Sequence, residues 1–259
     1  MLRHASPEPQ EAVHLTNYTD KTVAAIAIEN PSSIPVFESL GIDYCCGGNR
    51  SLASACNTKG VPVERVLELL ANATARPSGD AAKNWGAVPT LELIDHIENS
   101  HHVYIRTEVP NINALAAKVA SRHSANHPET IEIRDEFDGL GRELLDHLLK
   151  EERILFPYVR DMEASGSSPI GACFGGQIAR PLSVMHAEHD SAGSSLERLE
   201  KLTNNYTPPA DACVSFRALY EALRLFALDL HQHIHLENNL LFPKAVQMEQ
   251  AAALAIQGR

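Results

Sequence analysis

HLLKEERILFP, residues 147–157, and HIHLENNLLFP, residues 233–243, carry His, Glu, Leu, Phe and Pro in register at an offset of 86. Upstream of each lies a looser pair, IENSHH (97–102) and HAEHD (186–190), in which His102 and His189 are offset by 87. A period this long does not fit a solenoid repeat. It fits two copies of a helical hairpin, and so an all-α four-helix bundle with approximate two-fold symmetry. The pattern places helices at 90–122, 129–162, 180–203 and 211–249, with Pro110 kinking the first. The stretch SGSSPIGACFGGQIARP, 165–181, is a glycine-rich connection of the length that is often functional or mobile.

On a helix, positions i and i+4 lie about 40° apart and share a face. His147 therefore points with Glu151, and His233 with Glu237. Leu140, Leu144, His147, Glu151, Ile154 and Leu155 form one stripe; Phe226, Leu230, His233, Glu237, Leu240 and Leu241 form its counterpart. Each His–Glu pair interrupts an apolar, core-facing surface. A buried carboxylate without a partner is strongly disfavoured, and no Lys or Arg repeats in the stripe. A bound cation accounts for both copies at once. One His-x-x-x-Glu is a weak signal; its duplication inside matching stripes is not.

The other two helices offer further ligands. His102 and His123, 21 residues apart, fall about 60° apart on a helical wheel. His189 follows Leu182 and Met185 on an apolar stripe. His127 rivals His123, and His186 rivals His189. His231 and His235 point away from His233 and read as solvated or capping groups. His4, His14, His96 and His101 default to structural or solvent roles. Glu188 and Asp190 read first as an exposed acidic face, and second as groups that orient a histidine. Imidazole with carboxylate suits iron or zinc rather than calcium or magnesium. The candidates exceed the four ligands of one tetrahedral zinc, and suit two octahedral metals with Glu151 and Glu237 as bridges.

The N-terminal third differs. Residues 1–15 read as a flexible polar tail, 16–75 as a small helical domain and 76–88 as a linker. The bundle occupies 89–249. Asp20 is expected to cap a helix over 21–29, and SSIPVFESL runs to a left-handed Gly41. A helix beginning near Ser51 ends at Gly60, and another starts at Pro62. Between Gly41 and Ser51 lies GIDYCCGGNR, with adjacent Cys45 and Cys46. Neighbouring Cα atoms sit ~3.8 Å apart, short of the usual disulfide span, so a bond between these two would be strained. The positive end of the helix from Ser51 favours thiolate there, and Asp43 opposes it. Cys56, Cys173 and Cys213 read as small buried apolar residues.

Composition excludes several classes. A formal charge of −11 argues against nucleic acid or an anionic membrane as partner, since both need a basic face. No apolar run approaches the ~18 residues of a membrane span, and the N-terminus lacks the apolar core of a signal peptide. The chain thus reads as cytoplasmic. Five irregularly spaced cysteines do not form a disulfide framework.

HLLKEERILFP, SVMHAEHD and HIHLENNLLFPKA resemble the hemerythrin-like domain, and GIDYCCGGNRSL resembles the cysteine-bearing ScdA-type domain found fused to it. Together, over about residues 16–248, the chain resembles the di-iron proteins that repair iron–sulfur clusters, the RIC or ScdA family. The resemblance implies metal ligands at His102, His123, His147, Glu151, His189, His233 and Glu237. It implies two non-haem iron ions per chain, bridged by Glu151, Glu237 and an oxo or hydroxo group. It also implies a homodimer that acts on iron–sulfur proteins damaged by nitric oxide or oxidative stress, by donating iron or removing nitric oxide. The alternative is a protein that binds or reduces nitric oxide, which would make it an enzyme. An oxygen carrier or sensor is a weaker reading, because reversible oxygen binding needs no thiols. Cys45 and Cys46 could pass electrons, hold iron or nitric oxide in transit, or join two protomers.

Overall fold

A computed structural model describes residues 18–74, 83–165 and 177–257. The expected tail, residues 16, 17 and 75 of the expected small domain, residues 76–82 of the expected linker, and residues 166–176 with Cys173 lie outside them. The chain divides into two compact units between Val88 and Pro89. Regular structure among the described residues is helical, apart from one isolated antiparallel bridge between Thr22 and Ser51. None of these helices is long and apolar enough to cross a membrane.

The first unit holds α1 (Val23–Glu29), α2 (Ile34–Ser39), α3 (Leu52–Lys59) and α4 (Val63–Thr74). Thr22, not Asp20, caps α1: its side chain accepts from the Ala25 amide. Ser51 caps α3 in the same way through Ser54, and Gly60 closes it in the left-handed region at φ 67°. Gly41 is also left-handed. Val23, Ile26, Phe37, Leu52, Cys56, Val66 and Leu70 form the core. The CCGG turn is fastened to α1, whose Val23 and Ala24 amides donate to the carbonyls of Arg50 and Gly48. A Cβ on Gly48 would stand 2.5 Å from the Tyr44 carbonyl oxygen, so only glycine fits.

The second unit is a four-helix bundle. Its first rod is α5 (Thr90–His96), a π-helical turn Ile97–His102, and α6 (Val103–His123). The second is α7 (Glu129–Lys150), a π turn Glu151–Leu155, and α8 (Phe156–Ser165). The third is α9 (Ala179–Leu202). The fourth is α10 (Val214–Leu236), a π turn Glu237–Leu241, and α11 (Phe242–Gln257). Helix α6 packs on α7, α7 on α9, α9 on α10, and α10 back on α6, closing the ring. α6 runs unbroken through Pro110.

The two repeat motifs share a widened turn. The amides of Phe156 and Phe242 donate to the carbonyls of Glu151 and Glu237, five residues back. Each turn is followed by proline, Pro157 or Pro243. Proline has no amide to donate, and its ring crowds the carbonyl four residues earlier. A turn with one extra residue relieves that conflict. It also shifts register, which is why Ile154, expected in the core stripe, is 42 % exposed while Leu155 is buried.

Candidate metal centre

Six of the seven sequence-derived ligands converge. His102, Glu151, His233 and Glu237 form one set, His147, Glu151, His189 and Glu237 another, and within each set the donor atoms lie within 4.8 Å of one another. Both sets contain the same two carboxylates. All six side chains are buried, with Glu151, Glu237, His102 and His233 fully so. His233 Nε2 stands 3.0 Å from Glu237 Oε1, His189 Nε2 3.2 Å from Glu237 Oε2 and His147 Nε2 3.3 Å from Glu151 Oε1. His102 Nε2 lies 3.4 Å from Glu151 Oε2. The Nε2 atoms of His147 and His189 face each other at 3.0 Å.

The His–Glu distances are not aligned hydrogen bonds, unlike the His147–His189 contact. Both oxygens of Glu151 and of Glu237, and Nε2 of His102 and of His233, are buried without a hydrogen-bond partner. Leaving so many polar atoms unsatisfied in one core would cost several kcal/mol each on the order of the usual desolvation penalty. A cation at each position satisfies them together. The residues therefore fit a pair of metal ions that share two carboxylates.

Charge in the metal-free cluster points the same way. Burial disfavours a proton on His102, but Glu151 and Glu237 overcome it and lift its pKa to about 10. For His147 the same contest, decided by Glu151, gives about 9. Burial would raise Glu237, yet His233, His102 and His189 hold it well below the usual carboxylate range. Glu151 is also lowered: burial and Glu237 push it up, and His147 and His102 prevail. Burial lowers His233.

The outer nitrogens fix three of the rings. His102 Nδ1 pairs with Glu152 at 2.7 Å, and Arg106 holds Glu152 from the other side at 2.7 Å. His147 Nδ1 pairs with Glu188 at 2.8 Å, and Lys150 bonds the same carboxylate. His189 Nδ1 pairs with Asn238 at 2.8 Å. A proton held on Nδ1 leaves Nε2 as the inward ligand atom. Glu188 thus takes the orienting role, while Asp190 is exposed. Glu152 and Asn238 escaped the sequence reading. Their signal is positional: each directly follows a repeat glutamate.

His123 is not brought to the cluster. Its Nε2 faces Cys213 Sγ at 3.2 Å, and its ring packs against Phe216. The helical wheel hides the reason. Twenty-one residues of helix from His102 advance about 30 Å along the axis, so two side chains can share a face and still be far apart. His127, its rival, pairs instead with Asp211 and Glu129. His186 is exposed. His235 is buried rather than solvated and bonded to Asn239, while His101 takes a structural role, buried and bonded to Asp229. Cys56 is buried as expected, whereas Cys213 is exposed at the start of α10.

In the first unit, Asp43 sits at the centre of the CCGG turn. Its Oδ1 accepts from the Cys45 and Cys46 amides at 2.9 and 3.0 Å, and its Oδ2 from the Gly47 amide at 2.7 Å. The Cys45 thiol donates to Oδ1 at 3.3 Å. The sulfurs are 3.8 Å apart and not joined in a disulfide. Cys46, burial and Asp43 together push the Cys45 thiol well up. At Cys45 the neighbouring thiol and burial, with Asp43 behind them, disfavour thiolate. Cys46 is half-buried.

Comparison with known proteins agrees with both units. Residues 93–245 match the hemerythrin HHE cation binding domain, and residues 19–74 match ScdA_N, a domain of unknown function (DUF542). The chain is 37% identical over 233 residues to the iron-sulfur cluster repair protein YtfE of Musicola paradisiaca (strain Ech703), covering 90% of this chain and 99% of that protein. It is 36% identical over 232 residues to the protein of that name from Pectobacterium atrosepticum, covering 90% and 99%. The figure for Dickeya chrysanthemi is 36% over 233 residues, covering 90% and 100%. With both domains matched in order and relatives aligned from end to end, the chain belongs to the two-domain hemerythrin family that includes the YtfE iron–sulfur cluster repair proteins.

Proposed function

We propose that this protein repairs iron–sulfur clusters damaged by nitric oxide or oxidative stress, and that it does so by giving iron to the damaged cluster. The observation that carries the reading is the buried pair of ligand sets sharing Glu151 and Glu237, in a chain whose relatives are named for this repair. His102 and His233 would hold one iron ion and His147 and His189 the other, with Glu151 and Glu237 available to both. Iron bound here supplies a redox-active ion whose hold on carboxylate ligands differs between its ferric and ferrous forms. Each set offers two imidazoles and two shared carboxylates, fewer ligands than an octahedral ion would take. A bound ion would keep positions that the protein does not fill, which suits an ion that must leave.

The residues around the ligands keep them poised. Glu152 and Glu188, fixed by Arg106 and Lys150, hold the rings of His102 and His147 with Nε2 inward. Buried Phe156 and Phe242 stack on the rings of His102 and His189 and limit water there. In the first unit, Cys46 is the thiol more open to solvent, and it makes the first contact with nitric oxide, iron or a client protein. Cys45, held by Asp43, acts second. The same reading has the protein working as a homodimer in the cytoplasm.

Iron transfer tests this. The protein is loaded with labelled iron and mixed with an iron–sulfur enzyme inactivated by nitric oxide. The expected result is recovered activity with label in the rebuilt cluster. Recovery without label, or catalytic turnover of nitric oxide to nitrous oxide by the reduced protein, would favour the nitric oxide-reducing alternative.

A further inference from the structure

The two ligand sets are related by the sequence repeat, and so are their outer contacts, with one exception. Glu152 follows Glu151 and holds His102; Asn238 follows Glu237 and holds His189. Glu188 precedes His189 and holds His147. The residue that precedes His102 is His101, and by the repeat it should hold His233. It does not. His101 spends its Nδ1 on Asp229 at 3.0 Å, and its ring lies flat against that of His233, 7° from parallel with centroids 5.7 Å apart. His233 Nδ1 is buried and, among the described residues, has no acceptor. Among the described residues, His233 is the one ligand histidine whose outer nitrogen is unheld.

An outer acceptor orients a ligating imidazole and raises its basicity, and losing one typically weakens metal binding about 10- to 100-fold. The set built from His147 and His189 has both acceptors. The set built from His102 and His233 has one. We propose that the two metal positions are unequal by construction: the ion held by His102 and His233 is the one released to clients, and the ion held by His147 and His189 stays. His101 is the residue that sets the difference, by standing where the other half of the bundle has an acid. This rests on the reading of the centre as a di-iron site that donates iron.

Chelator competition on the full-length, iron-loaded, reduced protein tests the inequality. Metal content is measured first; a chain that does not hold two irons overturns the di-iron reading itself. With two irons present, a ferrous chelator should remove them in two phases of equal amplitude, the faster roughly 10- to 100-fold ahead. Glu188→Ala removes the acceptor of His147 and should speed the slow phase toward the fast one. His101→Glu, with Asp229→Asn to avoid burying two acids together, gives His233 the missing acceptor and should slow the fast phase. Circular dichroism verifies that both proteins are folded. A merely structural role for His101 predicts no slowing. Release of both irons in one phase from the unmodified protein, or an effect of Glu188→Ala on the fast phase only, overturns the proposal while leaving the di-iron reading intact.

Discussion

His123 and Glu152 show how far single residues could be read from sequence. Helical spacing and duplication singled out His147, Glu151, His233 and Glu237, and all four meet in the core. His102 and His189 followed from the looser pair and also arrive. His123 has a compatible angle on the wheel and is implied as a ligand by the resemblance, but axial rise separates it from the centre. His123→Ala is therefore expected to retain its iron, whereas Glu237→Ala should lose most of it because that carboxylate belongs to both sets; metal analysis of the two purified variants decides. The orienting residues were less legible, since a hydrogen bond across helices depends on register that one strand of sequence does not contain. At the cysteines, burial and the Asp43 contact distinguish two neighbours that look alike in sequence. Alkylation should modify Cys46 well before Cys45, and Asp43→Asn should narrow the gap; mass spectrometry of peptides after brief labelling reads the order, and equal rates would contradict it.

Among the elements, helices were legible because their apolar period was strong, and widened turns were not because nothing in that period marks them. The shared Phe-Pro at 156–157 and 242–243 was the available signal. Helix α7 offers a sharp test of packing at this scale. A Cβ on Gly141 would meet Val109 Cγ1 at 2.8 Å, whereas one on Gly139 would meet nothing within 4 Å. Gly139→Ala should stabilise the protein by about 0.5–1 kcal/mol, through the backbone entropy of the unfolded chain and helix propensity. At Gly141 the same gain is opposed by overpacking of about 1–3 kcal/mol, so Gly141→Ala should be neutral to destabilising. Denaturant unfolding of both variants separates them, and equal stabilisation would show that α6 and α7 are not in close contact there.

Across the whole molecule, protons and metal compete for one buried cluster. In the metal-free protein near neutral pH, His102 and His147 are protonated, since their pKa values are raised to about 10 and about 9. Metal must displace those protons. Apparent iron(II) affinity should therefore climb as pH rises from mildly acidic through neutral, and level only above the raised pKa values. An affinity that is flat or falls with pH over that range would contradict the cluster's charge state. Metal should also raise the melting temperature, because it binds the folded bundle and not the open chain. The division of labour between units predicts that replacing both Cys45 and Cys46 with serine leaves iron loading unchanged but impairs repair, measured by client reactivation.

The central claim is that one buried cluster binds two iron ions through two overlapping ligand sets. An anomalous-difference map at the iron absorption edge, from crystals of the iron-loaded protein, tests it most directly. The account predicts two peaks per chain, each within bonding distance of Glu151 and Glu237, one also bonded to His102 and His233 and the other to His147 and His189. A single peak, a peak bonded to His123, or signal only at the zinc edge would contradict it.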